Sequence, residues 1–159
     1  MPLDAGASRR DFDGWLASEL DLAAAGRTAP FVTVWREEDR PIGATRCHEI
    51  RPEYRRLEIG GTWLTRRFWG SGANIETKLL LLGHVFALGY QRVEFKTHPE
   101  NLRSRRALEA LPAQFEGVLR KHLLVRGSQP RDSAYYSVVD DEWPGVKANL
   151  ERRLREKTR

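Results

Sequence analysis

The feature of this chain that most restricts its fold is a glycine-containing loop at residues 67–74, Arg-Phe-Trp-Gly-Ser-Gly-Ala-Asn. The loop follows a strand-like apolar run at residues 57–64 and leads into a leucine-rich segment with helical spacing. Glycine lets the backbone approach a ligand without Cβ interference, and the first N–H groups of a helix are unpaired at the positive end of its dipole. This order predicts an anion site, with an ordinary glycine-rich turn as the alternative. The backbone groups expected to bind the anion are those of Gly70, Gly72, Ala73 and Asn74.

The loop differs from two well-known phosphate-binding sequences. Only two glycines occur and no Gly-x-Gly precedes them, so the loop is not the dinucleotide fingerprint of Rossmann domains. No Gly-Lys-Ser/Thr follows, so it is not a Walker loop either. What remains is the pattern Arg-x-x-Gly-x-Gly-Ala, which starts at Arg67.

The bulk composition describes an ordinary globular protein. A chain of 159 residues can bury a core without disulfides or metals. No apolar run approaches the ~20 residues that span a membrane. The N-terminus lacks a signal-peptide pattern, and the single cysteine, Cys47, gives neither a disulfide nor a zinc spacing. We therefore expect a cytoplasmic protein with no membrane partner and no metal.

The formal net charge of +5 raises the question of a polyanionic partner, because basic surfaces bind phosphate backbones. Much of the excess is concentrated in residues 151–159, and a charged helical end is usually a solvated face. No nucleic-acid-binding motif occurs, so a nucleic-acid partner is not expected. The same positive field would attract an anionic cofactor such as coenzyme A.

Hydrophobic periodicity and turn residues predict an ordered series of helices and strands. Helices are expected between Ser8 and Gly26, at residues 74–88, between Asn101 and Pro112, and at residues 144–157, with strands at residues 31–35, 42–50, 57–64, 92–98, 118–125 and 134–139. Hairpins combined with isolated β-α-β crossings indicate an α+β fold, in which helices flank a mixed, mostly antiparallel central sheet. We expect a single domain over residues 1–159, with a core at residues 10–140 and a C-terminal helix at residues 144–157.

Three stretches in this order resemble the GNAT superfamily of N-acetyltransferases, and most closely its ribosomal-protein Nα-acetyltransferase (RimL-like) branch. They are Leu-Glu-Ile-Gly at residues 57–60 with Thr-Trp-Leu at 62–64, the loop at 68–74, and Asn-Leu-Arg-Ser-Arg-Arg-Ala-Leu at 101–108. The resemblance covers residues 10–136. It implies a GNAT-like fold and an acetyl-CoA-dependent acetyltransferase whose glycine loop binds the cofactor pyrophosphate.

The chain departs from the family pattern in two places. Family members begin with a strand and a helix before the helix predicted here at Phe12, so the chain is expected to be N-terminally truncated relative to them. Those elements normally line the acceptor pocket. The Leu-Gly that usually ends the helix after the Asn-x-x-Ser stretch reads Leu111-Pro112 here, and proline also ends a helix.

The resemblance also implies which side chains hold the cofactor. Besides the loop backbone, these residues are Thr62, Trp63, Leu64, Arg67 and Asn101. In the family the strand at residues 62–64 splays from its neighbour, its free backbone groups pair with the pantetheine arm, and one N–H is the oxyanion donor. Glycines at positions 60 and 61 indicate a bulge or a close ligand approach there. Arg67 could add charge or be a solvated arginine. Asn101 could bind pantetheine, cap the following helix, or do both.

Two residues are candidates for the chemistry, which requires deprotonation of the amine and neutralisation of the leaving thiolate. Glu58 aligns with the glutamate that is the general base in some GNAT histone-modifying enzymes; a cross-strand charge partner is the alternative. Ser104, one turn after Asn101, could protonate the thiolate or be a plain surface serine. His98 is a further base candidate. The other residues of these reactive types are interpreted as structural, namely His48, His84, His122 and Cys47.

The strength of the catalytic base limits which acceptor amine can be deprotonated. An α-amine has a pKa near ~7.7–8.0 and lysine one near ~10.4, so deprotonating lysine at neutral pH costs roughly 3.5 kcal/mol more. A weak base therefore favours an α-amine. Three functions remain open: an acetyltransferase acting on a protein N-terminus or a small amine, a non-catalytic GNAT-fold acyl-CoA-binding or interaction protein, and a nucleic-acid binder supported by charge alone.

The strand at residues 31–35 is expected to form an exposed apolar edge of the sheet, which folded proteins rarely leave bare. Either residues 1–8 or a second copy of the chain should cover it. Because the first seven residues have no β pattern, we favour a homodimer.

Overall fold

The computed structural model describes residues 8–125 and 127–157. The helices are α1 (Arg9–Ala24), α2 (Ala73–Ala87), α3 (Leu102–Ala110) and α4 (Trp143–Lys157). The strands are β1 (Ala29–Trp35), β2 (Arg40–Arg51), β3 (Arg56–Leu64), β4 (Arg92–Thr97), β5 (Gln114–Val125) and β6 (Gln129–Val139). Every helix and strand predicted from the sequence is present. The largest differences are the starts of β5 and β6. β6 begins earlier because the hairpin pairs almost to its turn through polar residues, and β5 begins earlier because Gln114 and Phe115 pair with β6 ahead of an irregularity at Gly117.

The six strands form one sheet in the order β1-β2-β3-β4-β6-β5. Only the β3–β4 pair is parallel, and it is connected through α2; the other four pairs are antiparallel. A parallel pair needs such a crossover, whereas antiparallel neighbours can be joined by a tight turn. The predicted α+β class, with a mixed and mostly antiparallel sheet, is confirmed.

The parallel strands separate soon after they begin. Their pairing runs only from Arg56↔Arg92 to Glu58↔Glu94, although β3 continues to Leu64 and β4 to Thr97. We call the resulting opening, between residues 59–64 of β3 and 95–97 of β4, the fork. Beyond Glu58 and Glu94, β3 and β4 do not pair with each other.

A bulge lies on β3 at the fork. In the pairing with β2, Ala44 is opposite Trp63 and Arg46 is opposite Gly60, so β3 has one extra residue in this interval. Gly61 takes a φ of +61°, which glycine adopts without steric cost. Of the two interpretations of the glycine pair, the bulge is confirmed.

The two faces of the sheet differ in character. Alternate residues such as Leu57, Ile59 and Phe95 form the main core with buried residues of α2 and α4, including Leu82 and Leu150. We call this side the α2 face. The intervening residues point to the opposite side, which we call the α1 face because Glu19 of α1 pairs there with Arg46. The α1 face carries most of the ionisable side chains of the central strands.

Strand β1 forms one edge of the sheet and pairs only with β2. Its side chains Phe31, Val32 and Val34 are exposed, Val32 to 64%. The predicted exposed edge is therefore present in the described part of the chain. Residues 1–7, one of the two candidates to cover it, lie outside the described residues. None of the helices in residues 8–125 and 127–157 is long and apolar enough to cross a membrane.

Candidate active site

The glycine loop has the geometry of an anion site. Gly70 and Gly72 both have positive φ, at +78° and +98°, and Gly72 is the N-cap of α2 without any side-chain cap. The first N–H groups of a helix have no intrahelical partners. In α2 the N–H of Ala73 donates to Oγ of Ser71 at 3.3 Å, so this loop side chain satisfies one of them. A Cβ on Gly70 would have no atom within 4 Å, which leaves open space in front of this part of the loop. The Oδ1 atom of Asn74 is buried there without a partner among the described residues.

Gly72 has a second constraint that the sequence did not reveal. A Cβ at this position would lie 3.3 Å from side-chain atoms of both Leu154 and Lys157. The end of α4 therefore packs directly against the loop. Both this contact and the positive φ restrict position 72 to glycine.

The arginines around the loop are not equivalent. Arg67, the predicted contributor, is exposed and pairs with Glu38 at 3.0 Å, which offsets its charge. Arg66 and Arg103 lie on the exposed ring of Trp69, with guanidinium carbons 5.9 and 4.2 Å from the ring centroid. Within the described residues no carboxylate pairs with either arginine, so they are better placed than Arg67 to attract an anion. Arg103 reaches the loop from α3, a contact that only the tertiary structure creates.

The predicted cofactor-contacting strand lies at the fork. Thr62 is exposed, and its hydroxyl accepts a hydrogen bond from Lys78 at 2.9 Å and lies 2.8 Å from that of Thr45. The Nε1 group of Trp63 is buried without a partner among the described residues. The carbonyl of Leu64 accepts a hydrogen bond from Nε1 of Trp69 at 2.9 Å, which links the end of β3 to the glycine loop. The loop and the fork thus form one continuous region.

Glu58 lies on the α1 face, at the last paired position before the fork. Its side chain is 2% exposed, and its two oxygens lie 2.8 Å from Nζ of Lys96 and 3.2 Å from Nε2 of His48. Burial acts to raise the pKa of Glu58, but the hydrogen bonds and positive charges of His48 and Lys96 outweigh it and hold the pKa below its ordinary value. Glu58 is therefore a carboxylate at neutral pH.

The contact between His48 and Glu58 requires a glycine at position 60 of β3. A Cβ on Gly60 would lie 2.5 Å from Nε2 of His48 and 3.2 Å from Oε1 of Glu58. From the sequence alone, His48 is interpreted as structural. The register of β2 against β3 places it directly opposite Glu58, and a strand pairing of this kind was the signal that could have identified it.

Three other predicted residues lie at the start of α3 or just before it. The carboxamide oxygen of Asn101 accepts from the backbone N–H of Ser104 at 3.1 Å, so the N-cap role of Asn101 is present. The hydroxyl of half-buried Ser104 has no hydrogen-bond partner in the described residues. His98 is 41% exposed and accepts from the N–H of Glu100 at 3.2 Å, a local turn contact outside the Glu58 cluster.

Cys47 is buried on the α2 face, as expected. Burial raises the pKa of its thiol to about 11, against a smaller opposing effect of the Lys78 charge. The thiol is therefore protonated and unreactive at neutral pH.

Comparison with known proteins is consistent with this geometry. The family model described as an acetyltransferase (GNAT) domain matches residues 2–114. The uncharacterized N-acetyltransferase p20 of Bacillus licheniformis is 33% identical over 126 residues, which cover 79% of this chain and 70% of that protein. A GCN5-related N-acetyltransferase from Brucella melitensis superimposes with a TM-score of 0.82 at 33% identity, over 93% of this chain and 66% of that one.

A third relative is known as a cofactor complex. RimJ of Mycobacterium smegmatis, solved in complex with CoA-disulfide, has a TM-score of 0.74 at 25% identity, over 90% of this chain and 68% of that chain. The chain thus spans about two thirds of the length of these three relatives. On the family match and the sequence identity, the chain belongs to the GNAT acetyltransferase family.

Proposed function

We propose that the chain is an acetyl-CoA-dependent N-acetyltransferase that moves an acetyl group to a primary amine by direct attack. The observation that carries this proposal is the position of Glu58. It is a buried, ionised carboxylate at the last paired position before the sheet opens, and the opening continues into the glycine loop. A carboxylate held in this place could help to deprotonate an amine that enters the fork.

The residues fit an anionic, elongated cofactor. The open space at Gly70, the start of α2 and the two arginines on Trp69 suit a pyrophosphate. The opening between β3 and β4 and the unpartnered Nε1 of Trp63 among the described residues suit an amide-containing arm. A relative with a TM-score of 0.74 is known bound to CoA-disulfide, which supports the same ligand class. In this assignment Gly70, Gly72, Ala73 and Asn74 hold the pyrophosphate, and Thr62, Trp63, Leu64 and Asn101 contact the arm.

The chemistry expected from the chain's own residues is the removal of a proton from the acceptor amine. When bound, acetyl-CoA supplies the acetyl thioester. Glu58 is held ionised and lies 3.2 Å from Nε2 of His48, a geometry in which Nδ1 takes no part in this contact. His48 is then the proposed proton acceptor through Nδ1, and Glu58 orients its ring. Ser104 remains the proposed proton donor on the cofactor side.

This arrangement favours an α-amine acceptor. Neither a carboxylate with a lowered pKa nor an imidazole is a strong base, and an α-amine is easier to deprotonate than a lysine side chain by roughly 3.5 kcal/mol at neutral pH. The RimL-like sequence resemblance supports an acceptor of the protein N-terminal type. A small-molecule amine with a similar pKa fits the same argument.

The second candidate is a GNAT-fold protein that binds acyl-CoA without turnover. The specific observation in its favour is that both oxygens of Glu58 are already engaged by Lys96 and His48. A carboxylate used only to tie strands together would make the same contacts.

We also propose that the chain forms a homodimer through β1. Its outer edge has no neighbouring strand in the described residues, and Phe31, Val32 and Val34 are exposed beside it. Pairing of two β1 strands across a two-fold axis would satisfy the edge hydrogen bonds and bury these side chains.

One experiment separates the candidate functions. The melting temperature is measured with and without acetyl-CoA, and release of free CoA thiol is then followed across peptides with free N-termini, Nα-blocked lysine and small amines. A thermal shift with release on peptides with free N-termini supports the proposal. A shift without release on any amine supports the binding protein, and the absence of a shift contradicts both.

A further inference from the structure

Lys78 is a buried cation whose charge is balanced by few hydrogen bonds and by no ion pair among the described residues. It lies on α2 with 6% of its surface exposed, and the only hydrogen bond of its ammonium among the described residues goes to Oγ1 of Thr62 at 2.9 Å. An ammonium carries three N–H donors, so two are unused. No carboxylate pairs with it in residues 8–125 and 127–157. A charge buried in this way costs several kcal/mol unless something compensates it.

The surroundings of Lys78 compensate its charge only in part. Its Nζ lies 5.7 Å from the centroid of the Phe95 ring in a cation–π contact, which is weaker than pairing with an anion. The titratable group that acts on it is Cys47 of β2. Burial lowers the pKa of Lys78 to about 8, with only a small opposing effect from Cys47. The ammonium is therefore still mostly protonated at neutral pH.

The position of the ammonium is specific. Thr62 belongs to β3 and Phe95 to β4, and both lie beyond the last paired residues, Glu58 and Glu94. Lys78 therefore reaches the fork from the α2 face, where it contacts one strand and lies beside the other. His48 and Glu58 are at the same opening on the α1 face. The fork thus has a proton acceptor on one side and an unpaired cation on the other.

We propose that Lys78 and Thr62 form a binding site for the sulfur of coenzyme A in its thiolate form. The proposal rests on the proposed function, because it takes the fork as the path of the cofactor arm. During transfer the acceptor nitrogen bonds to the acetyl carbon, the carbon–sulfur bond breaks with both electrons going to sulfur, and the amine proton is taken on the α1 face. The negative charge left on sulfur is the partner that the buried ammonium lacks.

The test measures the ionisation of the bound thiol rather than turnover. CoA is titrated between pH 6 and pH 10 on the wild-type protein and on Lys78→Met and Thr62→Val, with thiolate absorbance in the ultraviolet as the readout. Affinities for CoA and for S-methyl-CoA, which cannot ionise, are measured by calorimetry at pH 8. Lys147→Met is the matched control, because Lys147 is an exposed lysine on α4 with an i,i+4 partner.

We expect the thiol of CoA to ionise at a lower pH on the wild-type protein than in free solution, and CoA to bind several-fold more tightly than S-methyl-CoA. A drop of about one pKa unit in the bound thiol corresponds to a tenfold preference where the free thiol is fully ionised, and to a smaller preference at pH 8. Lys78→Met should abolish the preference, Thr62→Val should reduce it, and Lys147→Met should retain it. If both ligands bind the wild-type protein equally and the bound thiol titrates as in solution, the Lys78 site is wrong while the cofactor site stands. If neither CoA nor S-methyl-CoA binds, both proposals fail.

Discussion

The ammonium of Lys96 lies 2.8 Å from Oε2 of Glu58, on the face of the sheet opposite α2. The two residues come from the parallel strands β3 and β4. Glu58 is at the last paired position of β3, and Lys96 lies on β4 just beyond the partner position, Glu94. With His48 on the other carboxylate oxygen, Glu58 is fixed in one orientation. The pair therefore joins the strands where the sheet opens, and Lys96 helps to keep Glu58 ionised.

Replacing this carboxylate tests its role in catalysis. Glu58→Gln should lower kcat/KM for the amine by about 10²–10⁴-fold, the usual contribution of a general base or its support, with affinity for acetyl-CoA unchanged. Glu94→Gln is the control, because Glu94 pairs with Glu58 in register and is also bound by arginines. Steady-state kinetics on a peptide substrate and calorimetry check both. Equal activity of Glu58→Gln and Glu94→Gln would indicate that Glu58 only links the strands and takes no part in catalysis.

The same residue should affect stability in acid. Because the folded-state pKa of Glu58 is lowered from 4.5, its ionisation stabilises the fold above that pH, and this contribution is lost as the pH falls towards the lowered value. Urea unfolding between pH 3 and pH 7 should show a smaller loss of stability on acidification in Glu58→Gln than in the parent. A parallel loss in both proteins would contradict the direction of this shift.

The glycine loop has a matched pair of substitutions. Gly70 and Gly89 have similar φ values, +78° and +84°, and a Cβ on either would meet no atom within 4 Å. Gly70→Ala and Gly89→Ala should therefore cost similar backbone strain, of about 1 kcal/mol in thermal unfolding. Only Gly70→Ala should weaken CoA binding, by at least tenfold in calorimetry. Gly72 is unsuitable for this test, because its Cβ would also press on Leu154 and Lys157.

Ser104 should matter to turnover and little to binding. Its hydroxyl has no partner in the described residues, whereas its backbone N–H is held by Asn101. Ser104→Ala should thus keep the helix cap and CoA affinity but lower kcat if the hydroxyl protonates the departing thiolate. Single-turnover kinetics isolate this step, and an unchanged rate would make Ser104 a surface residue.

Lys78→Met should stabilise the protein at neutral pH. Burial lowers the folded-state pKa from 10.5 to about 8, so the unfolded chain binds more protons between these values. The penalty of about 3 kcal/mol is complete below pH 8 and disappears as the pH rises to 10.5. Denaturant midpoints from pH 7 to pH 10 should show an advantage of the variant that shrinks with pH. A variant that is less stable at every pH would show that Lys78 is a net stabilising contact.

The β1 edge makes a prediction about assembly. Val32 is 64% exposed at the centre of this edge, so Val32→Lys should dissociate a β1–β1 dimer without disturbing the core. Light scattering at micromolar concentration should give a dimer for the parent and a monomer for the variant. A monomeric parent whose β1 amides exchange freely with solvent would contradict the dimer.

The sequence by itself determined the elements and the loop. Periodicity of 2 and 3.6 residues, with glycine and proline at the boundaries, depends on neighbours within one element, so the order of strands and helices and the positive-φ glycines could be predicted. The bulge at Gly61 and the buried state of Cys47 followed from the same local rules.

Only the tertiary structure decided which side chains meet. His48 and Glu58 are ten residues apart on different strands, and the register of β2 against β3 brings them together. Lys78 reads in sequence as one polar residue of an amphipathic helix, yet the place where α2 crosses the fork makes it a buried cation beside Thr62. Arg103 and Trp69 meet for a similar reason, since α3 returns to the loop after β4. Local propensity determines the face on which a residue lies, whereas strand register and helix docking determine its partners, and the chemistry of this site depends on those partners.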